Sequence, residues 1–405
     1  MTETTEPRWA DYDHLAWSAL EDPAKVIHAL RAHNPIGRSE QFGGFYVLTR
    51  YADCVAAALH PAFSNSPDKG PGAGFPTTQK RAAVLRVAMH TDDGDRHRDF
   101  RMQMQRILTP KFARSLMGEI REICDALIDD FIETGRADLA DSYSIELPAI
   151  LIARLLDLPH ERRREFQRWA TASVATADPA ALRSIADYTA ELYELRSAAP
   201  GNDVPSQMLA FQIEGRPITR DEWRGLVMLL VFGGLDTTAN AGGYIFHMIA
   251  RDPALRAWLV EDKSRIAGAL PEFIRLISPV PQHSRGVTED VAIGGHRFRK
   301  GDVVQLNWFA ANHDPAVYAD PDTFKADRNN SNHLGFGSGP HMCLGKALAL
   351  AELEIMVERV LTRLPDYQLV AGGTERFGSL NRGMKHLAVT FIPGPRLAAA
   401  GPGAT

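Results

Sequence analysis

Residues 336 to 345 read Phe336-Gly337-Ser338-Gly339-Pro340-His341-Met342-Cys343-Leu344-Gly345, and from Leu344 onward the chain runs LGKALALAELEIMVERVLTRL. Apolar residues at threes and fours make the second stretch an amphipathic helix. The first is a loop whose glycines can take positive φ, and it ends where that helix starts, so Cys343 lies at the positive end of the helix dipole. Backbone N–H groups of such a loop can point at the sulfur, which favours the thiolate, and the missing Cβ of Gly345 lets a flat ligand approach the backbone. A lone cysteine before a helix is more often an inert buried thiol. Here its surroundings decide otherwise.

The string FGSGPHMCLG resembles, position by position, the haem loop of the cytochrome P450 superfamily, Phe-Gly-x-Gly-x-His-x-Cys-x-Gly, with all six fixed positions present. The resemblance implies that Cys343 is the proximal ligand of a non-covalent haem b (iron protoporphyrin IX), its thiolate favouring O–O cleavage on the far side of the iron. It further implies that Phe336 and Gly337 shape the loop beside the sulfur and that His341 reaches a haem propionate. A c-type attachment is excluded because no CxxCH occurs.

A second stretch carries chemistry upstream. Thr219 and Glu222 have capping-box spacing, and apolar periodicity continues until Pro253, which predicts one helix of roughly 30 residues, about 45 Å long. Gly233 and Gly234 sit mid-helix, where each costs about 1 kcal/mol relative to alanine. Close approach of something bulky would offset that cost. Asp236, Thr237 and Thr238 follow inside an apolar stretch and need partners or a chemical task. By residue chemistry alone, a kink with threonine hydroxyls bonded back one turn is an equal reading. The segment is similar to the superfamily's distal helix, which implies that Gly233 and Gly234 lie against the haem, that Thr237 hydrogen-bonds at bound dioxygen, and that Asp236 relays protons from solvent. Two protons delivered into a dry pocket require at least a hydroxyl and a water-linked carboxylate.

Weaker signals join these. Glu272 and Arg275 at i and i+3 would ordinarily be a solvated pair, but they resemble the family's buried Glu-x-x-Arg, with His333 as the expected third partner and Arg328 second. His97 and Arg101 share one helical face. By resemblance they are propionate ligands together with Arg285, which gives four donor groups, His341 included, for two carboxylates.

The remaining composition fits this reading. Across 405 residues, 45% are hydrophobic, 23% are charged and the net charge is −5, the profile of a globular protein whose main partner is not nucleic acid. Three distant cysteines without a CxxC pair argue against disulfides and structural zinc. No run of about 18 apolar residues and no basic, apolar leader is present, so a cytoplasmic location is expected. The chain reads as mainly α with a small β-rich region, a single domain over 1–405. Its β-rich parts are roughly 1–60, with a hairpin near Gly43 to Thr49, and 285–310. Residues 64–80 form a long loop, a shorter helix covers Leu270 to Ile277, Arg382-Gly383 makes a turn, and 396–405 is a flexible tail. The resemblance implies the triangular helical prism of the superfamily.

The same resemblance implies a monooxygenase that places one oxygen atom of dioxygen into a mid-sized, largely hydrophobic organic molecule, by hydroxylation, epoxidation or demethylation. Apolar residues dominate the positions expected to line its pocket, with Gln282, His283 and Asn381 as candidate polar anchors. No dinucleotide-binding or four-cysteine segment is present. Electrons are therefore expected from an external ferredoxin and its reductase, docking on a face that includes Arg96, Arg98, Arg106, Lys111, Arg114 and Lys346. The alternatives are a peroxygenase using hydrogen peroxide and a non-catalytic haem-binding protein. The intact Asp236-Thr237 pair disfavours both.

Overall fold

The computed structural model describes residues 7–69, 87–158, 162, 165–166, 168–169, 172, 178–329, 332–378 and 380–397. Most of the expected loop at 64–80 and the tail beyond 397 lie outside these residues.

The N-terminal part builds a sheet around two helices. Helix α1 (Pro23–His33) is capped by Asp22, whose carboxylate accepts from the Lys25 N–H. Strands β1 (Ile36–Ser39) and β2 (Phe45–Leu48) then pair antiparallel, so the expected hairpin is present, joined through Phe42, Gly43 and Gly44 at positive φ. Helix α2 (Tyr51–Leu59) and the short β3 (Phe63–Ser64) follow.

Helices dominate thereafter: α3 (Gly94–Ile107), α4 (Met117–Asp129), α5 (Glu146–Leu155) and α6 (Pro179–Ala198). Two small β pieces interrupt what periodicity alone gives as unbroken helix. They are β4 (Arg136–Asp138) and the hairpin of β5 (Gln212–Ile213) with β6 (Arg216–Pro217), which turns at Glu214 and Gly215, both at positive φ.

The long helix begins as expected, with a reciprocal capping box between Thr219 and Glu222, but it runs in two segments, α7 (Arg220–Gly234) and α8 (Asp236–Arg251). Leu235 joins them at φ −79°, ψ −69°, still right-handed, and the hydrogen bonds on either side of it lengthen to 3.3 and 3.4 Å. Each segment anchors its own core. Leu226, Val227 and Val231 of α7 pack with Phe100 and Met104 of α3 and Ile152 of α5, whereas Ala241, Ile245 and Ile249 of α8 belong to a second cluster. Among the described residues this is the one helix long and apolar enough to cross a membrane, yet 67% of its apolar window is buried in the protein, which makes it a core helix.

Helix α9 (Arg265–Ile277) starts earlier than expected because Pro271 lies within it without ending it. Strands β7 (Gln282–Val287), β8 (Val291–Ile293), β9 (His296–Phe298) and β10 (Val303–Asn307) follow. β7 and β10 complete the N-terminal sheet in the order β1-β2-β10-β7-β3, with β10 parallel to β2. A short α10 (Trp308–Asn312) precedes the cysteine loop, and α11 (Lys346–Arg363) follows it.

After α11 the chain adds a hairpin that residue patterning does not predict, β11 (Gln368–Gly378) and β12 (Arg382–Thr390). Arg382 and Gly383 open a strand rather than form an isolated turn. Gly383 lets β12 press onto α8, since a Cβ there would lie 2.1 Å from Asn240 Oδ1.

The buried Glu272–Arg275 pair ties the helices to the loop that delivers the cysteine. Arg275 meets Glu272 through Nε and Nη2 at 2.8 and 2.9 Å, and both side chains are at most 1% exposed. Arg275 Nη1 also donates to the carbonyls of Asn312 (2.6 Å) and Pro321 (2.8 Å), pinning the long connection. The third member of the group is Arg328, whose Nε donates to Glu272 at 2.9 Å, rather than His333. His333 Nδ1 instead accepts from the Gly335 N–H at 3.1 Å, and burial pushes its pKa down to about 4. Arginine stays charged where a buried imidazole does not.

Candidate active site around Cys343

The cysteine loop is clamped between two helices. A Cβ on Gly335 would lie 2.6 Å from Ile274 of α9, and one on Gly339, at φ +72°, would lie 2.6 Å from the Ala58 carbonyl of α2. No other residue type fits both constraints at Gly339. The Cys343 N–H closes the loop by donating to the Phe336 carbonyl at 2.8 Å.

The Cys343 sulfur accepts from the N–H groups of Gly345 and Lys346, with Arg101 and Lys346 as nearby positive charges. The expectation that these favour the thiolate meets a larger opposing effect. Burial pushes the thiol above its ordinary value and outweighs all four. Cys343 is nonetheless accessible.

Four further expected residues gather about the cysteine loop. Arg101 feels the Cys343 charge, the His97 ring lies 4.2 Å from that of His341, and His97 feels His341 and Arg101. Burial, with those two charges adding to it, pushes His97 down to about 4. The Arg285 guanidinium is buried at 4% exposure and donates to the Ser284 carbonyl at 3.0 Å; burial lowers it to about 10.

Asp93, the residue before α3, is the carboxylate among these bases. Burial opposes its ionisation, but His341 at 3.4 Å, the Ser64 hydroxyl and the Asn65 N–H hold it well below the usual carboxylate range. Two more imidazoles stand in the same group, His90 and His283, with ring centroids 5.9 Å apart. Sequence reasoning does not reach Asp93 or His90. An Asp-Gly pair ahead of a helix is a capping signal, but nothing local assigns it to a histidine some 250 positions later.

The two glycines of the long helix separate by role. Gly234 faces α5, where a Cβ would lie 2.5 Å from Ile152 Cδ1, so protein packing alone accounts for it. Gly233 is exposed between buried Val231 and half-buried Gly234, and a Cβ added there would meet no atom within 4 Å. That face is open. Thr237, one turn on, donates its hydroxyl to the Gly233 carbonyl at 2.7 Å, the back-bonded arrangement that bends a helix. The hydroxyl lone pairs remain as acceptors. Leu344, beside the cysteine, packs into the same apolar cluster as Leu230, Phe232 and Leu235. The cysteine loop and the helix bend thus flank one apolar body.

These residues fit a haem. An accessible thiol held by two N–H groups suits an iron, Gly233 and Gly345 leave flat open faces, and basic groups outnumber Asp93 in a way that two propionates would balance.

Comparison with known proteins agrees. The family model for cytochrome P450 matches residues 179–365. The chain is 31% identical to vitamin D(3) 25-hydroxylase of Pseudonocardia autotrophica, over 96% of this chain and 98% of that protein. It is 29% identical to the polyketide biosynthesis cytochrome P450 PksS of Bacillus subtilis, over 91% and 96%. Among solved structures, PksS superposes with a TM-score of 0.84 at 28% identity, covering 93% of this chain and 99% of that one. A mutant of P450 EryK bound to erythromycin B gives a TM-score of 0.85 at 26% identity, covering 97% and 100%.

Proposed function

The chain belongs to the cytochrome P450 family of monooxygenases, and from that premise we propose that it places one oxygen atom into a mid-sized, largely hydrophobic organic substrate, using haem b held by Cys343 and electrons from a ferredoxin system. The observation that carries this reading is the accessible sulfur of Cys343, supported by the N–H groups of Gly345 and Lys346 at the start of α11. When bound there, the haem iron supplies the activation of dioxygen.

The protein's own residues supply the rest. The N–H groups of Gly345 and Lys346 orient the sulfur and temper its charge. His97, Arg101, Arg285 and His341 hold the two carboxylates of the porphyrin. Phe336 covers the sulfur side of the loop, with the Lys346 ammonium 5.4 Å from its ring centre. Thr237, its hydroxyl proton engaged by the Gly233 carbonyl, presents an acceptor at the bend, and Asp236 beside it passes protons inward from solvent. Apolar Leu229, Leu230 and Phe232 help to exclude water.

The names of relatives specify a steroid, vitamin D(3), linalool and polyketide biosynthesis. Ferredoxin docking falls to Arg106, Lys111 and Arg114, which are exposed. Arg96 is withdrawn from that set because it is spent on Asp92, Glu214 and Glu222, and Arg98 is paired with Asp95. A cytoplasmic location follows if the ferredoxin is a soluble one.

The test is a reconstitution with ferredoxin, ferredoxin reductase and labelled dioxygen, on compounds first found to shift the ferric spectrum. One labelled oxygen atom per product is expected. Turnover with hydrogen peroxide alone, and none with the reductase system, would refute the electron source. Reversing Arg106, Lys111 and Arg114 to glutamate should slow reduction by ferredoxin, and an unchanged rate would remove that face from consideration.

A further inference from the structure

We infer that Glu352 of α11 is a redox-linked proton store, taking one proton from solvent when the haem iron gains an electron and returning it on reoxidation; this rests on the haem-thiolate reading proposed above.

Placement comes first. Glu352 is 4% exposed, and its Oε2 is enclosed with no hydrogen-bond partner among the described residues. An enclosed polar group without a partner is rare, since an apolar side chain of similar size would carry no such cost. A second unpartnered group borders it. The Ser144 hydroxyl is likewise enclosed, and a Cβ on Gly242 of α8 would lie 3.4 Å from it and 2.8 Å from Met356, one turn beyond Glu352. Tyr143 donates to the Met356 carbonyl at 3.1 Å and is the hydrogen-bond neighbour of Cys124, which feels the Glu352 charge. Ala140–Ser144 is a π-helical turn, a rare geometry frequent at functional sites. It runs from exposed Asp141 to buried Ser144, a hydroxyl able to pass a proton inward.

Burial alone pushes Glu352 from 4.5 to about 8, so the acid holds its proton at neutral pH and ionises a little above it. The charged groups of the elements around α11 do not act on it. Arg121 is paired with Glu358 and Arg359 with Asp125 between α4 and α11, and Arg275 with Glu272 on α9. Arg256, on helix Pro253–Glu261, donates to the Tyr367 carbonyl, and Lys111 and Arg114, on helix Pro110–Ser115, are exposed. Cys124 and Tyr143 are pushed up by burial and stay neutral, and α8 contributes apolar Ala241 and Ile245 to the same core.

The coupling follows from α11 itself. The Lys346 N–H that supports the Cys343 sulfur opens this helix, and Glu352 stands about 9 Å further along its axis. An electron gained at a metal on this sulfur adds one negative charge there. Across roughly 12 Å, at an effective dielectric constant of about 20, such a charge raises the proton affinity of a carboxylate about tenfold. One electron and one proton then enter together, and the interior gains no net charge.

The experiment measures the reduction potential of the purified holoprotein from about pH 6 to about pH 9.5, following haem absorbance against redox dyes. The comparison is Glu352→Gln, which keeps the shape and neutrality of the protonated acid but has no proton to exchange. Below about pH 7 the two proteins should run parallel, because Glu352 stays protonated in both redox states. By about pH 9.5 the unmodified protein should have become about five- to tenfold harder to reduce relative to the variant, a shift of about 40–60 mV. Infrared difference spectra at about pH 8.5 should show a protonated-carboxyl band gained on reduction and missing in Glu352→Gln. Potentials that stay parallel over the whole range, or a band that survives the substitution, overturn the inference, even where Glu352→Gln is the less stable protein. Glu352→Met, which fills the site without a polar group, gives the same comparison if the amide does not fold. Failure of the function proposed above is separate: it would show as loss of the thiolate-type spectrum in the unmodified protein.

Discussion

Thr237 shows how two readings of one residue can both describe the molecule. Its hydroxyl donates to the Gly233 carbonyl, which makes the bend, and the same bond leaves an acceptor on the open side. Thr237→Ala removes that acceptor without adding bulk. With substrate and a reductase system, electrons should then end largely in hydrogen peroxide rather than product, and Asp236→Asn should slow product formation by roughly 10²-fold or more. Product yield per electron equal to that of the unmodified enzyme in both variants would show that neither residue handles protons. The motif residues themselves are plain in the sequence. Their partners are not: the identity of Arg328 over His333 at Glu272, and the meeting of Asp93 with His341, depend on loops whose paths no local pattern specifies.

At the scale of elements, the long helix makes the clearest case. Its start is legible in the Thr219 and Glu222 spacing, and its bend in the glycine pair followed by threonines, one of which bonds back to Gly233; the position of the break at Leu235 is not, because apolar periodicity runs through it. The three glycines of α7 serve different masters. A Cβ on Gly225 would lie 2.8 Å from the backbone nitrogen of Ala88, so Gly225→Ala should destabilise the fold by about 1–3 kcal/mol despite its better helix propensity. Gly233→Ala meets open space and should stabilise the haem-free protein by up to about 1 kcal/mol, yet weaken haem uptake. Urea unfolding and haem titration measure the two effects, and tighter haem binding by Gly233→Ala would contradict the assignment of that face. Arg275 belongs to this scale as well. Arg275→Ala removes two charged hydrogen bonds from buried Glu272, leaving Arg328 opposite it, and takes the donor from the Asn312 and Pro321 carbonyls, so it should cost about 3–5 kcal/mol, read as a lowered unfolding midpoint. The C-terminal hairpin is hidden from the sequence because β11 is half exposed on both faces and carries a register irregularity, so it lacks clean alternation.

For the whole molecule, the α-rich class and the two β-rich stretches, roughly 1–60 and 285–310, follow from periodicity and turn signals. Their assembly into one sheet across more than 200 residues comes only with the structure. Its packing has a pH consequence. His14 is 1% exposed, sits edge-on to Phe42 and Phe45, and is pushed by burial from 6.5 to about 4. The unfolded chain therefore binds this proton first. Stability from His14 is complete above about pH 6.5 and is lost as pH falls toward about 4, an amount of about 3 kcal/mol. His247, also pushed to about 4, adds in the same direction. Urea midpoints measured from pH 7 to 4 should fall less steeply in His14→Phe than in the unmodified protein, and parallel curves would show that the ring is not desolvated.

The most direct measurement is the absorption spectrum of the dithionite-reduced protein under carbon monoxide, compared with that of Cys343→Ser. A thiolate-type band that the substitution abolishes is the predicted result. An imidazole-type band, or a thiolate-type band that persists in Cys343→Ser, would contradict the account at its root.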